Sequence, residues 1–464
     1  MSGIFGVASK TDCMKHLFYG TDYLSHLGTQ YGGIAVQTRS GMVRKIRDIS
    51  TSQFKSKFED EYDSLEGKLG IGVISASDTQ PVFIHSKWGP FALVMDGLVH
   101  NAESLMQEML GDRYTFSEET HGGVNQVELV AKLISHGEDI VSGIDHMYSK
   151  IEGSCSLLLL HDDGIYAARA PDGHTAMVLG EQDGIYSVSS ESCSFPNLGI
   201  KTKKYLMPGE VIKINDSGIV QIKDGDPQCN KICAFLWVYT GFPASTFEGI
   251  STEVVRENCG KALARRDTVE ADMAAGVPDS GLGHGIGYSH ESGLPYRRPL
   301  VKYTAGYGRS YTPPTQDKRD LIAQMKLIPI EEVIKGNRIV LMEDSIVRGT
   351  QLKNFTVIKL WESGAKEVHV RPACPPLMFP CRYNLSTRTE SELVARRAIK
   401  DIEGERPDDI SEYLDPDSEK YKLMVDWIAR DLGVTTLQYQ RLDDLVEAIG
   451  MPKDKLCLHC WSGE

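Results

Sequence analysis

The sequence predicts an α/β protein of two consecutive domains, and three observations point there. Short β-type runs punctuated by Gly and Asp turns fill the first half, with two helical stretches between them. From Cys233 onward, longer helices alternate with isolated apolar strands, the pattern of a parallel sheet. The 464 residues suffice for two or three domains, and 41% apolar against 25% charged residues is ordinary globular usage.

In the first half the expected strands are Ile4 to Val7, Gly33 to Gln37, Leu69 to Ser75, Phe91 to Asp96, Cys155 to Leu160, Ile165 to Ala168, Met177 to Leu179 and Ile185 to Val188. Helices are expected around Cys13 to Ser25 and Gln126 to Ser135, so layers of strands flanked by helices account for this half. Glu210 to Cys229, with KDGDPQ at its end, reads as the join, giving domains 1–230 and 231–464. Beyond it, helix Thr252 to Arg265, strands Ala274 to Val277 and Ile339 to Met342, helix Gln351 to Glu362 and strand Val368 to Val370 follow in turn. A third stretch, about Arg396 to Arg441, is charged and helical.

Composition excludes several classes of function. Lys plus Arg number 50 against 64 Asp plus Glu, and a net charge of −14 argues against a large nucleic-acid or anionic-membrane surface. No apolar run approaches the roughly 18 residues that span a bilayer. The start, MSGIFGV, lacks the basic and apolar regions of an export signal, so a cytoplasmic location is expected. Ten cysteines are too sparse for a disulfide scaffold and read as thiols or metal ligands.

The clearest chemical feature is Arg338 to Thr350, RIVLMEDSIVRGT, followed by a helical run. An apolar strand delivers Glu343 and Asp344 to its C-terminal end, the edge at which open α/β sheets bind ligands. The turn Ser345, Ile346, Val347, Arg348, Gly349, Thr350 offers backbone N–H groups and a helix N-terminus to a phosphate; Gly349 permits close approach and Thr350 adds a hydroxyl. The carboxylates suit ribose hydroxyls and Mg2+, so the pattern points to a phosphorylated ribose. This run resembles the phosphoribosylpyrophosphate (PRPP) loop of type I phosphoribosyltransferases. Two segments support it: VPDSGLGHGIGYSHESGLPY, with Ser280 placed to meet a metal or pyrophosphate, and the cationic loop YGRSYTPPTQDKR with Arg309.

VPDSG, Arg309 with Pro314-Thr315-Gln316, EDSIVRGT, SGAKEVHVR and the cysteine contexts together resemble the glutamine PRPP amidotransferase family, colinear over nearly the whole chain. The resemblance implies an αββα sandwich of the N-terminal nucleophile hydrolase type, then a type I phosphoribosyltransferase domain. It further implies an enzyme that displaces pyrophosphate from PRPP with ammonia, magnesium at Ser280, Glu343 and Asp344, catalytic roles for Arg309, Glu343 and Asp344, nucleotide effectors and a homodimer or homotetramer. Cys233, Cys381, Cys457 and Cys460 match the cysteines that hold a 4Fe-4S cluster in one branch of the family. Zinc on the same thiolates, or plain buried cysteines, are the alternatives.

The first half departs from the family pattern. Ser2 stands where the family has its nucleophilic Cys, Val73-Ile74-Ser75-Ala76 replaces H-x-R-Y, Asp96-Gly97 replaces the oxyanion Asn-Gly, His26-Leu27-Gly28-Thr29 replaces His-Arg-Gly-Gln, and Asn125 stands at an expected acid. An anion at the oxyanion position opposes the charge that must develop there. The expected function is therefore PRPP-dependent transfer from ammonia or another amine with glutamine hydrolysis lost. A non-catalytic PRPP- or nucleotide-binding paralogue, or a glutamine-dependent enzyme with Ser2 as nucleophile, is the alternative. In the second half Gly241-Phe242-Pro243-Ala244-Ser245 loses an Arg and an Asp near the acceptor side.

Overall fold

Strand Gly3–Ser9 (β1) is buried along its whole length, because both of its faces are covered. Ile4 and Ala8 enter a core shared with Leu158, Leu160 and Ile165, whereas Phe5 and Val7 face the opposite way and pack with Met14, Leu17 and Phe18 of helix Met14–Asp22 (α1). The period-two alternation of the strand thus builds two apolar layers from one sequence. The computed structural model of the chain describes residues 2–120, 123–303, 325–383, 387 and 389–464.

The chain divides into two units, one of Met1–Cys233, Ala244–Gly249 and Tyr383–Leu385, the other of Ala234–Pro243, Ile250–Arg382 and Ser386–Glu464. In the first, β1 pairs antiparallel with Leu69–Ser75 and Ile185–Ser189 at the centre of a seven-stranded sheet. Gly153–His161 and Gly89–Val99 pair antiparallel within a six-stranded sheet. The two sheets meet across the Ile4 core, and helices Ala102–Gly111, Gln126–Ser135 and Ile140–Lys150 cover the outer face of the six-stranded one. This is the αββα sandwich. One expectation fails here: most of Glu210 to Cys229 is no join but the hairpin Val211–Asn215 and Gly218–Lys223, an integral part of the six-stranded sheet. Its outer strand is mostly exposed, so its sequence carries little apolar signal.

The second unit is built on a parallel four-stranded sheet in the order Met273–Gly276 (β2), Arg338–Glu343 (β3), Glu367–Pro372 (β4) and Thr436–Leu437 (β5). Ile339 and Leu341 face one helical layer while Val340 and Met342 face the other, which holds Leu263 and Tyr288. The charged stretch folds into helices Val394–Glu403 (α2), Ser411–Leu414 and Glu419–Leu432 (α3). Met424, Ile428 and Leu432, at helical spacing, carry its buried stripe onto the sheet, with the charges on the other side. Among the described residues no helix is long and apolar enough to cross a membrane.

Candidate active sites

Strand β3 ends at Glu343, and the chain turns through 344–349 into a helix over 350–362. Gly349 makes that turn at φ +76°, a conformation that disfavours any residue with a β-carbon. Asp344 gathers hydroxyls: Ser280 Oγ donates to its Oδ2 at 2.5 Å and Ser345 Oγ to its Oδ1 at 2.6 Å. Glu343 is buried, with its Oε1 accepting the N–H of Asp344 at 3.1 Å. Burial, reinforced by the Asp344 carboxylate, pushes its carboxyl well above the usual range. Among the described residues, none of the backbone N–H groups from Ser345 to Thr350 has a protein acceptor. Backbone donors left over on a turn at a helix start are of the kind that take an anion.

The structure therefore brings Ser280, Asp344, Ser345 and the loop together. Ile346 anchors the loop by burying its side chain in the core. The Arg348 side chain is engaged by Glu392 at 2.5 Å, so its contribution to the loop is through its backbone. Asp344 and Ser280 present hard oxygen atoms of the kind magnesium takes, and the buried Glu343 carboxyl lies beside them. Arg309, with Pro314, Thr315 and Gln316, lies outside the described residues.

At the head of β1, the N–H of Ser2 donates to Asp96 Oδ1 at 2.6 Å, and Thr175 Oγ1 donates to Oδ2 at 3.4 Å. Burial drives the Asp96 carboxyl above its ordinary range. Gly97 follows at φ +152°, and a β-carbon there would stand 2.0 Å from the Ser154 carbonyl, so Asp96 sits at a backbone passage only glycine fits. A second buried acid, Glu191, lies 3.0 Å from His26 Nε2 and accepts from Ser245 Oγ at 2.7 Å. Ser75 is fully buried, and its hydroxyl accepts from the Gln80 amide at 3.2 Å; no cation stands at that position. Asn125 caps helix Gln126–Ser135, its side chain accepting the N–H groups of Val127 and Glu128. The pairings to Glu191 and Thr175 join residues far apart in the chain, and nothing local in the sequence signals them.

The C-terminal cysteines are laced to the rest of the second unit by backbone bonds. The Cys460 carbonyl accepts the N–H groups of Met378 at 2.8 Å and Phe379 at 3.1 Å, just before Cys381, and the Cys457 carbonyl accepts the N–H of Ala234, the residue after Cys233. Cys233 is buried; Cys381, Cys457 and Cys460 are half-buried.

Residues 67–197 match the model of a glutamine amidotransferase domain. Amidophosphoribosyltransferase of Methanocaldococcus jannaschii is 32% identical over 100% of this chain and 97% of its own length. The chain belongs to the amidophosphoribosyltransferase family. The Bacillus subtilis member is 29% identical over 100% of this chain and 93% of its own. A solved structure of glutamine PRPP amidotransferase from B. subtilis, complexed with ADP and GMP, superposes with a TM-score of 0.84 at 28% identity, covering 100% of this chain and 96% of that one. The amidophosphoribosyltransferase family sets the fold, an N-terminal nucleophile hydrolase-type domain followed by a phosphoribosyltransferase domain, and the class of enzyme, a pentosyltransferase.

Proposed function

We propose that this chain transfers the phosphoribosyl group of PRPP to ammonia or another small amine, and that it no longer hydrolyses glutamine. In the transfer, the amine nitrogen forms a bond to C1 of the ribose as the C1–oxygen bond to pyrophosphate breaks; the pyrophosphate keeps the electron pair and the new amine sheds a proton to solvent. The loop 345–350 holds the 5-phosphate on its unsatisfied N–H groups and Asp344 orients the ribose hydroxyls, so catalysis is mainly positioning. Ser280, Glu343 and Asp344 would hold magnesium, which would neutralise the leaving pyrophosphate. Residues 1–230 are assigned to the inactive glutaminase-like domain and 231–464 to the transferase. Cys233, Cys381, Cys457 and Cys460 are proposed to hold a 4Fe-4S cluster, a structural element and not part of the transfer. The complex of the B. subtilis relative with ADP and GMP supports nucleotide effectors here.

The observation that carries the loss of glutamine hydrolysis is the 2.6 Å contact between the Ser2 nitrogen and the buried Asp96 carboxylate. An N-terminal serine nucleophile needs its own free amine as base. With Met1 removed, that amine faces Asp96, and its hydrogen bond to the carboxyl engages the nitrogen that would have to take the hydroxyl proton. The same carboxylate stands where negative charge would develop, and loss of even one oxyanion donor costs about 100- to 1,000-fold. Ser75, buried and bonded to Gln80, offers no cation to a substrate carboxylate. One observation favours a second reading, glutamine-dependent transfer with Ser2 as nucleophile: the match of residues 67–197 to a glutamine amidotransferase domain.

Pyrophosphate release from PRPP and magnesium, measured with ammonium, with glutamine and with no amine, separates the readings. Release with ammonium, and no more with glutamine than without amine, is the expected result. Glutamine-driven release abolished by a glutamine-mimicking alkylator would establish the second reading, and no release with any amine would leave a non-catalytic binder.

A further inference from the structure

The charged stretch that the sequence sets apart reaches the phosphate loop and ties its carbonyls. The N–H of Val394 donates to the Val347 carbonyl at 2.8 Å, and Arg397 Nη2, one turn further along α2, donates to the Arg348 carbonyl at 2.6 Å. Glu392 takes the Arg348 guanidinium at 2.5 Å, and Asp431 of α3 takes the Lys353 ammonium at 2.8 Å. A β-carbon on Gly349 would stand 3.3 Å from Leu432 Cδ2 and 3.6 Å from Val394 Cγ2, so both helices lie against the turn.

In a trans peptide the N–H points opposite to the C=O of the same plane. With the Val347 and Arg348 carbonyls drawn toward α2, the N–H groups of Arg348 and Gly349 are turned to the other side of the loop. Among the described residues neither of these donors has a protein acceptor, so the clamp presents donors to an anion and keeps the negative carbonyl ends out of its way.

We infer that Arg397 is a positioning residue for the sugar-phosphate end of the substrate: it fixes the peptide planes of 347–349 without touching the ligand itself. This rests on the reading of 345–350 as the 5-phosphate site. Preorganisation of this kind affects ground-state and transition-state binding alike, so the effect falls on KM and not on kcat.

The test uses the full chain and isothermal calorimetry with two probes, ribose 5-phosphate and magnesium pyrophosphate, alongside kinetics with PRPP. Arg397→Ala is expected to weaken ribose 5-phosphate and raise KM for PRPP by about five- to tenfold, the scale of one charge-assisted hydrogen bond on an exposed side chain. Magnesium pyrophosphate binding and kcat should stay within about twofold, because the loop donors serve the other end of the substrate. Arg397→Lys, which can still donate to the carbonyl, should recover most of the loss. Arg396→Ala, which breaks an ion pair with Glu390 and no loop contact, is the control. Unchanged ribose 5-phosphate affinity in Arg397→Ala, or equal loss of both probes, overturns the positioning role. Failure of the wild-type protein to bind ribose 5-phosphate overturns the reading of the loop instead. If Arg397→Ala does not fold, Arg397→Gln against Arg397→Lys gives the same comparison.

Discussion

Two carboxylates, Asp96 and Asp344, end up in opposite roles at the ends of two strands. Asp96 is enclosed, its oxygens taken by the Ser2 N–H and the Thr175 hydroxyl, and burial pushes its carboxyl up. Asp344 is also mostly buried, but its partners are two serine hydroxyls, and it opens onto a turn whose N–H groups have no acceptor among the described residues. The first arrangement is closed upon itself, while the second has backbone donors left over among the described residues. Residue type alone does not distinguish the two carboxylates; the partners that remain unsatisfied around them do.

The largest expected effect strikes the open site. Asp344→Asn should lower pyrophosphate release with ammonium by about 100-fold or more, since it removes the charge that orients the ribose and the metal together. Retention of activity within tenfold in that assay would erase the contrast between the two acids.

Next comes a pH effect beside the closed site. Burial, with the Arg169 guanidinium adding to it, pushes His174 down to about 4. The unfolded chain titrates this histidine near 6.5, so its contribution is intact above that pH and is lost as pH falls from 6.5 toward 4. At pH 5 the loss is roughly 2 kcal/mol, and His174→Gln should remove about that much of the pH 7 to pH 5 decline in unfolding free energy measured with urea. An unchanged decline would mean that the ring is solvated and the pocket wall is open.

Gly349→Val should cost about 1–2 kcal/mol through its positive φ and the nearby Leu432, and weaken ribose 5-phosphate about tenfold with little change at the Ser2 pocket. Smallest of all, Asp96→Asn alone should yield no glutamine hydrolysis, because Ser75 still lacks the cation a glutamine carboxylate needs. Glutamate release above background from that single variant would show that Asp96 is the sole block.

Much of the fold was legible in sequence where apolar periodicity is strong. Strand Leu69–Ser75 and helix Gln126–Ser135 fall on the expected residues, and the strand expected at Ile339 to Met342 runs one residue further at each end, Arg338–Glu343. Edge strands escaped: Gly41–Asp48 and Lys201–Tyr205 are half-exposed or exposed and rich in Lys and Arg, as strand edges are when they resist pairing with other chains. The hairpin Val211–Asn215 and Gly218–Lys223 was read as a join for the same reason. Of the proposed sites, the loop 345–350 is contiguous in the chain, so its residues could be proposed together from the sequence. Asp96 could be placed opposite Ser2 only through the family pattern, since 94 residues separate them. The Arg397 clamp could not be read at all, because a guanidinium bonded to a distant backbone carbonyl leaves no local motif.

One competition decides whether the first pocket is spent while the second works. The protein is given PRPP, magnesium, 15N-ammonium and an equal concentration of unlabelled glutamine, and the amine product is weighed by mass spectrometry. Nitrogen wholly from the labelled ammonium, with no glutamate formed, is the expected result. Product carrying unlabelled amide nitrogen, with glutamate in step, would contradict it.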